Sequence, residues 1–522
     1  MSAAPAPPPF QEVKHRGLIT VSVMVAMIMV ILDMTIANVA LPHMQASLGA
    51  AQDTVTWVLT SYIVAQAIAT PVTGWLSDNI GRKRLFLICV AGFVGASALC
   101  GTAFSLEEMV LFRVLQGAFG AALAPLSQSV IIDINPRERQ GQAMAVWGAG
   151  IMVAPIIGPT IGAWLTESFN WRWIFYINLP IGILAFLGIL AFMPDTVRRL
   201  RKFDFFGFAA LSLAIGSLQL MLDRGEQLDW FSSGEVMLEM GIAMAAGWIF
   251  IIHTVTKPET FLDRRLFRDT NFAAALIFIF IIGVILLATM ALLPPMLQTL
   301  FGYPVITVGY ILAPRGIGTM LSMIVVGRLV RRVDPRVLVL VGLALTAYSL
   351  WDMMWFSPQM DSWPVITSGV IQGFGLGFVF SPLSTIAFST LDPRLRTEAT
   401  GLFNLVRNLG SSIGISIIAA MLTRNVQINH AALAAHMTPF NTNLMSAGIV
   451  PGLLGTEAGR QTAAQLNGLI NLQAAMIAYI DDFKLMFIIT LCAAPLLLLL
   501  RYKPHPVAAG ASVPVPAAVM AD

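Results

Sequence analysis

Fourteen long apolar runs, separated by polar connections, constrain the fold of this 522-residue chain more than any other feature. Hydrophobic residues make up 57% of the sequence and charged residues 11%, whereas a soluble domain carries about 25% charged residues. A run of about 20 apolar residues is long enough to cross a membrane as a helix. The sequence therefore predicts an all-α integral membrane protein with spans at 17–39, 55–76, 85–104, 108–132, 141–165, 173–193, 204–222, 235–255, 271–295, 305–327, 337–356, 364–389, 399–423 and 483–500.

Basic residues cluster in every second connection between these spans. Most of the 31 Lys and Arg residues lie on the same side as the N-terminus, for example in the stretches 82–84, 198–202 and 328–336. Cytoplasmic loops of membrane proteins carry an excess of Lys and Arg. The pattern therefore predicts that both termini are cytoplasmic and that the number of spans is even.

The chain also contains an internal repeat. The sequence VLQGAFG at 114–120 recurs as VIQGFGLG at 370–377, and NPR at 135–137 recurs as DPR at 392–394. Spans one to six thus resemble spans nine to fourteen, and parallel repeats of this kind indicate an alternating-access transporter. The predicted domains are a disordered cytoplasmic tail at 1–16, a six-helix bundle at 17–203, two inserted helices with a basic linker at 204–270, a second six-helix bundle at 271–503 and a disordered cytoplasmic tail at 504–522.

Asp33 and Arg113 are charged residues in the middle of apolar runs. Because a guanidinium cannot lose its proton at membrane depth, Arg113 needs a partner or a wet cavity, and Asp33 is the expected partner. Burial penalises the charged form of a carboxylic acid, and a neighbouring guanidinium stabilises it. The pair is therefore the candidate proton-coupling site, and the alternative is a permanent structural ion pair.

Several other polar side chains within the spans are candidates for binding a substrate. Arg315 and Arg407 either attract an anionic or amphipathic substrate or bond backbone carbonyls at a broken helix. The 27 Met and 31 Phe residues suit an adaptable apolar cavity, although the same residues face lipid in any membrane protein. The candidate set for the substrate cavity is Asn38, Gln66, Gln116, Arg315, Asn404, Arg407 and Asn408.

The connection between the second and third spans, GWLSDNIGRKR at 74–84, predicts a conformational latch. A glycine at position 74 allows two helices to approach, and one at position 81 allows a tight turn. Asp133 closes the fourth span, where Arg137 or Arg139 is its expected partner. The predicted latch consists of Gly74, Asp78, Gly81, Arg82, Lys83, Asp133 and Arg137.

Glycines and prolines concentrate in the fifth span, where small residues permit close helix packing and prolines permit bending. This motif consists of Gly150, Pro155, Gly158, Pro159 and Gly162. Two further stretches stand out, LDMTIANVALP at 32–42 and NWRWIFYINLP at 170–180.

These motifs resemble those of a known family. The stretch 74–84, and Arg113 with Gln116, resemble signatures of the major facilitator superfamily. The glycines of the fifth span resemble the motif of drug:proton antiporters, and the stretches 32–42 and 170–180 resemble the fourteen-span family of these antiporters. The long loop before the last span and the C-terminal pattern are most similar to the inner-membrane component of Emr-type tripartite efflux pumps.

The resemblance implies a major facilitator fold of two parallel six-helix bundles plus two inserted helices. It also implies proton-driven export of hydrophobic or amphipathic drugs across a bacterial inner membrane. The implied partners are protons, membrane lipids, a periplasmic adapter protein and an outer-membrane channel. The polar segment 424–482, predicted to be extracytoplasmic, is either a surface loop or the docking platform for that adapter.

Other classes of function have less support in the sequence. Export of a single endogenous metabolite, such as a fatty acid, a siderophore or a signalling compound, shares every motif and remains the alternative. The six histidines are scattered, so an enzyme is not expected. The chain has no Gly-x4-Gly-Lys-Ser/Thr loop for ATP, and its three cysteines have no disulfide or metal spacing. No cofactor, metal or nucleic-acid partner is predicted.

Overall fold

The computed structural model describes residues 14–51, 54–196, 198, 200, 202–257, 260, 262–330, 332–392, 395–437 and 457–500. Within these ranges the regular secondary structure is entirely helical. Both predicted tails lie outside the described residues except for residues 14–16, and so does the centre of the predicted loop 424–482.

Thirteen helices in the described ranges are long and apolar enough to cross a membrane. The one remaining predicted span, the second at 55–76, consists of two shorter helices, Trp57–Ala69 and Thr73–Ile80, joined by a 3-10 turn at Thr70–Val72. Pro71 explains the interruption, because it has no N–H to donate to the carbonyl of Ala67.

The first half of the chain contains six spans. Proline interrupts two more of them, so that the predicted spans 108–132 and 141–165 are each two helices: Pro125 and Pro155 cannot bond the carbonyls four residues earlier. The helices are α1 (Arg16–Leu48), α2 (Trp57–Ala69), α3 (Thr73–Ile80), α4 (Arg82–Thr102), α5 (Leu106–Gly120), α6 (Leu123–Asp133), α7 (Arg137–Ile151), α8 (Val153–Ser168), α9 (Trp173–Tyr176) and α10 (Asn178–Phe192).

Two inserted helices follow, α11 (Phe205–Arg224) and α12 (Gly234–Thr256). The first of them contacts both halves of the molecule, since it packs on α2 and also bonds the second half. Gln219 Nε2 donates to Ser412 Oγ at 2.9 Å, and the Ser416 hydroxyl donates to the carbonyl of Leu222 at 2.7 Å. The helix α12 exposes large apolar side chains along its length, as a lipid-facing helix does.

The second half contains the remaining spans. It repeats the packing of the first half: α2 and α4 pack on α5, and α15 and α16 pack on α17. In the same way α1 packs on α8, and α14 packs on α18. The helices are α13 (Arg265–Arg268), α14 (Thr270–Thr299), α15 (Val305–Leu329), α16 (Pro335–Met353), α17 (Trp363–Ser389), α18 (Arg396–Ala435) and α19 (Glu457–Ala493), followed by a 3-10 helix at Ala494–Leu499.

The described parts of the predicted loop 424–482 are the ends of two long helices, α18 and α19. A helix of the length of α18 measures about 60 Å, whereas the hydrocarbon core of a membrane is about 30 Å thick. Both helices therefore project well beyond the membrane, and His430 Nε2 lies 3.0 Å from Asn467 Oδ1 between them. We call this pair, residues 424–435 and 457–469, the helical projection.

The two halves meet at the end of the molecule where the basic connection 82–84 and Arg396 lie, which we call the basic end. Buried apolar residues of both halves, including Trp147, Phe272 and Phe403, belong to one cluster. Towards the opposite end each half has an apolar cluster of its own. The halves are therefore closed against each other at the basic end.

Candidate functional site

Asp33 and Arg113 form an ion pair inside the first half. Arg113 Nη1 donates to Asp33 Oδ2 at 2.7 Å, and both side chains are 1% exposed. The other carboxylate oxygen, Oδ1, accepts from Gln116 Nε2 at 2.8 Å and from Asn178 Nδ2 at 2.7 Å. All three partners are donors, which is the arrangement that satisfies an ionised carboxylate.

Arg113 is also anchored independently of Asp33. Its Nε donates to the carbonyl of Val58 at 2.9 Å, and its Nη1 also donates to Gln116 Oε1 at 2.8 Å. The guanidinium carbon lies 4.2 Å from the centre of the Tyr62 ring, a favourable cation–π distance. The arginine would therefore keep most of its contacts if Asp33 were neutralised.

The local sequence explains why Arg113 reaches these partners. Ser105 caps α5 by accepting from the backbone N–H of Glu108 at 3.2 Å. Further along, a Cβ at Gly117 would lie 2.4 Å from the carbonyl oxygen of Tyr62. Because only glycine tolerates that distance, the backbones of α5 and α2 touch there, and Arg113, one turn earlier, faces the carbonyls of α2.

Sequence reasoning did not identify Asn178 or Ser97 as site residues. The Asn178 amide also donates to Ser97 Oγ at 2.9 Å, and Ser97 in turn donates to the carbonyl of Phe175 at 2.9 Å. The one available signal was an amide at the start of an otherwise apolar run, since a buried amide needs a partner. The network joins the first, third, fourth and sixth spans.

A second charged cluster lies at the basic end and crosses between the halves. Asp133 Oδ1 accepts from Arg396 Nη1 at 2.7 Å, and Asp133 Oδ2 accepts from Arg82. Arg396 belongs to the second half, and sequence reasoning had proposed Arg137 or Arg139 instead. Arg139 is exposed, and the side chain of Arg137 lies outside the described part of the chain.

The glycines of the predicted latch support this closure. A Cβ at Gly74 would lie 3.0 Å from the Cα of Glu398, so α3 and α18 approach closely. Gly81 has φ 93°, a conformation that favours glycine. Arg82 begins the next helix, and its backbone N–H donates to Thr196 Oγ1 at 2.9 Å.

The two remaining latch residues with described side chains are partly buried at the same end. Asp78 lies near the end of α3. Lys83 lines a small pocket together with Arg84 and Asp195. Neither residue contacts the Asp33 network.

The predicted substrate residues do not converge on one point. Gln116 belongs to the Asp33 network, and Asn404 Nδ2 donates to Gln128 Oε1 at 2.8 Å across the two halves. Arg315 Nη2 donates to the carbonyl of Leu286 at 3.3 Å, the structural alternative that the sequence left open. The others lie apart: Asn38 is exposed on α1, and Gln66 and Asn408 are partly buried.

Arg407 is the candidate that faces the space between the halves. Thr400 and Asn404, on the same helix, both bond residues of α6 in the first half. Arg407 lies one turn further from the basic end on that face, partly exposed, with its guanidinium carbon 6.0 Å from the centre of the Phe380 ring. Among the described residues no carboxylate lies within ion-pair distance of it.

The glycine motif of the fifth span brings α7 and α8 against α1. A Cβ at Gly158 would lie 2.3 Å from Thr35 Oγ1, and one at Gly162 would lie 2.9 Å from the Ile36 side chain. At Gly150 the neighbour is a methionine of α1. The prolines of the motif, Pro155 and Pro159, lie in the first two turns of α8.

Two six-helix halves, closed at one end and enclosing a buried charge pair, define a membrane transporter. The model of the Major Facilitator Superfamily matches residues 23–415, and the chain belongs to that superfamily. The fold agrees with that of the human organic anion transporter MFSD10 (TETRAN), with a TM-score of 0.58, 16% identity and coverage of 93% of this chain and 100% of that one.

Within the superfamily the chain is of the EmrB type, a drug efflux transporter. It is 37% identical to the multidrug export protein EmrB of Escherichia coli K12, over 82% of this chain and 84% of that protein. It is 35% identical to the fatty acid resistance protein FarB of Neisseria gonorrhoeae, over 93% and 96% of the two chains. The probable multidrug resistance protein EmrY of Escherichia coli K12 is 34% identical, over 90% and 92%.

Proposed function

We propose that the protein is a proton-coupled antiporter that exports hydrophobic or amphipathic drugs across the inner membrane, with both termini in the cytoplasm. In this proposal Asp33 binds the transported proton and the basic end is the cytoplasmic end. The observation that carries the proposal is the donor set around Asp33. A buried carboxylate held by three donors changes its contacts as soon as it is protonated.

The mechanism follows from the geometry of that donor set. Oδ1 already accepts two hydrogen bonds, from Gln116 and Asn178, so a proton on Oδ1 displaces one of these amides. A proton on Oδ2 removes the charge that holds the Arg113 guanidinium and so weakens that contact. Arg113 stays bonded to α2, and the movement is therefore expected in α1.

The driving force for such a cycle is the membrane potential together with the pH gradient. One proton moving inwards releases about 2.3 kcal/mol per 100 mV, equivalent to a drug concentration ratio of roughly 50. Deprotonation on the cytoplasmic side would restore the ion pair and close the network again. Each protonation state thus favours a different packing of the first half.

The test is drug-driven proton movement in liposomes that contain the purified protein and carry an imposed inside-acid gradient. Lipophilic drugs are added one at a time while internal pH is recorded. We expect Asp33→Asn to abolish drug-dependent proton movement, and Asp352→Asn, a carboxylate of α16 outside the network, to retain it. Unchanged coupling in Asp33→Asn would overturn the role of Asp33.

We propose further that the helical projection is the docking surface of a periplasmic adapter that connects to an outer-membrane channel. Ile428 and Leu469 are large apolar residues exposed on the two helices of the projection, 53% and 60% respectively. At about 48 Å from the basic end by helical rise, both lie beyond the hydrocarbon core. Exposed apolar residues outside the membrane favour a protein partner.

The double variant Ile428→Glu with Leu469→Glu separates docking from transport. Drug resistance of whole cells is expected to fall, because the adapter no longer binds, while antiport in liposomes stays at the wild-type rate. Full drug resistance in cells that carry the double variant would show that the adapter does not dock on this surface. Loss of both activities would show that the projection is part of the transport machinery.

Export of one anionic amphiphile, such as a fatty acid, is the second candidate function. Arg407 supports it, because a guanidinium that lies beside Phe380 and pairs with no described carboxylate suits a carboxylate with an apolar tail. The relative FarB is named for fatty acid resistance. A comparison of decanoate with decanol tests this candidate. Arg407→Gln should abolish export of the acid only, and equal export of both compounds by the wild type would exclude an anion requirement.

A further inference from the structure

Asp482 is a second buried carboxylate, and neither the resemblance nor the Asp33 network accounts for it. Its residue is 0% exposed, and neither carboxylate oxygen has a hydrogen-bond partner among the described residues. It lies on α19 between Tyr479 and Phe483, which belong to the apolar cluster of the second half. Sequence reasoning had placed residue 482 at the end of a polar loop.

Asp482 lies beside the first helix of the second half, since α19 packs against α14. One turn further along α19, the Thr289 hydroxyl of α14 lies 3.6 Å from Met486 Sδ. Because α1 and α14 are the first helices of the two repeats, each half carries one buried carboxylate on or beside its first helix.

The charges around Asp482 do not compensate an ionised carboxylate. The helix α14 and the 3-10 helix Ala494–Leu499 contain no ionisable side chain. On α19 itself Asp481 acts on Asp482 through its charge, and a like charge disfavours ionisation. The ionisable side chains of the helices packed against α19 are Arg336, Tyr348 and Asp352 on α16 and Arg396, Glu398, Arg407, Arg424 and His430 on α18, and those of its own membrane segment include Tyr479 and Lys484.

An unpaired carboxylate in an apolar cluster is far less stable than the neutral acid, because nothing replaces the water that solvated its charge. Among the described groups, none of the cations named above forms an ion pair with Asp482. The neutral acid is therefore the favoured form in this conformation with the basic end closed. It leaves an O–H donor and a carbonyl acceptor unpaired, which costs much less than an uncompensated charge.

We propose that Asp482 is a second proton-binding site of the transport cycle, protonated in this conformation and deprotonated when α19 moves and admits water. The proposal rests on the proposed proton coupling and deepens it by assigning one carboxylate to each half. Asp33 changes partners when it takes up a proton, whereas Asp482 has no hydrogen-bond partner to lose among the described residues. Its protonation therefore depends chiefly on solvent access.

Infrared difference spectroscopy of the purified full-length protein tests this assignment with the proton as the only probe. Spectra are recorded in acidic and alkaline buffer. We expect a carbonyl band of a protonated carboxyl group that disappears on alkalinisation. The band should be absent from Asp482→Asn, shifted in Asp482→Glu, and retained in Asp33→Asn and in the control Asp352→Asn.

A band that depends on Asp482 but survives alkalinisation would show a permanently neutral structural acid and would overturn the proposal. So would the lack of any band that depends on Asp482. If Asp482→Asn does not fold, the band shift in Asp482→Glu still assigns the group. In liposomes, Asp482→Asn should move one proton fewer per drug and change the pH profile of transport.

Different results would exclude the proposed proton-coupled transport and the proposed second proton site at Asp482. If no drug drives proton movement in the wild type, the proposed function is wrong, yet the infrared titration still shows whether Asp482 exchanges its proton. If drug-driven movement is lost in Asp33→Asn and fully retained with an unchanged pH profile in Asp482→Asn, only the second site is excluded.

Discussion

The two halves of the molecule each carry a glutamine at the same position of the repeat, but its surroundings differ. In the first half Gln116 Nε2 donates to the Asp33 carboxylate, and its Oε1 accepts from Arg113. In the repeated motif of the second half Gln372 Nε2 donates to the hydroxyl of Thr289 at 3.3 Å, and its Oε1 has no partner among the described side chains. The residue in the position of Arg113 is a glycine, Gly369.

This difference shows how a repeat can keep its packing and lose its charges. Gly369 leaves room for Arg315, whose Cβ lies 3.6 Å from the Cβ position of that glycine. The guanidinium of Arg315 bonds a backbone carbonyl and, among the described residues, no acid. Hence the first half contains a buried charge pair, while the glutamine at the matching position of the second half makes a weaker neutral contact.

This comparison predicts that Arg113→Gln has the largest effect on stability. The change leaves the Asp33 carboxylate buried without its counter-charge, and removing one partner of a buried pair costs about 3–5 kcal/mol. Thermal unfolding in detergent should show a clear fall in Tm. The double variant with Asp33→Asn should recover most of it, because no uncompensated charge remains. A stable single variant would mean that Asp33 is not ionised in this conformation.

A smaller effect, on the conformational equilibrium, is expected at the basic end. There too an acid is present in the first half and absent from the corresponding position of the second. Asp133 of the first half pairs with Arg396 of the second, whereas the corresponding position in the second half is Thr390. Asp133→Asn removes two partly buried ion pairs worth about 1 kcal/mol each, which shifts the conformational equilibrium roughly thirtyfold away from the closed basic end.

Labelling of a cysteine introduced at Gln128, one turn inside the closed end, measures that shift in a background without the native cysteines. The labelling rate should rise in Asp133→Asn. The control Asp195→Asn, a carboxylate at the same end that joins neither ion pair, should label at the background rate. An unchanged rate in Asp133→Asn would show that apolar packing alone holds the end closed.

The smallest effect is expected from Thr289→Val, the counterpart in the second half. It removes the long hydrogen bond from Gln372, a bond to the Ile285 carbonyl within the same helix and a weak contact with Met486. The shape is nearly unchanged and no charge is involved, so the loss of stability should be about 1 kcal/mol. Transport should remain within twofold of the wild type by the liposome assay. A loss as large as that of Arg113→Gln would mean that the neutral contact of the second half is as important as the charge pair.

The sequence by itself determined the membrane class, thirteen of the spans as helices and the identity of the charged pair. It could do so because these are local properties: the length of an apolar run shows whether a helix can cross the membrane, and a charge within such a run must have a partner. It also indicated the superfamily through local motifs. It predicted continuous spans where Pro71, Pro125 and Pro155 interrupt the helices, and a loop where α18 and α19 extend.

Only the tertiary structure decided which distant residues meet. The partners Asn178 and Arg396 come from other spans, and no local pattern states which donor will face which carboxylate. Asp482 shows the same limit: its sequence neighbours Asp481 and Lys484 make it look like the end of a polar segment. Its burial depends on which face of α19 packs against α14 and α16, and that choice is made by the whole bundle.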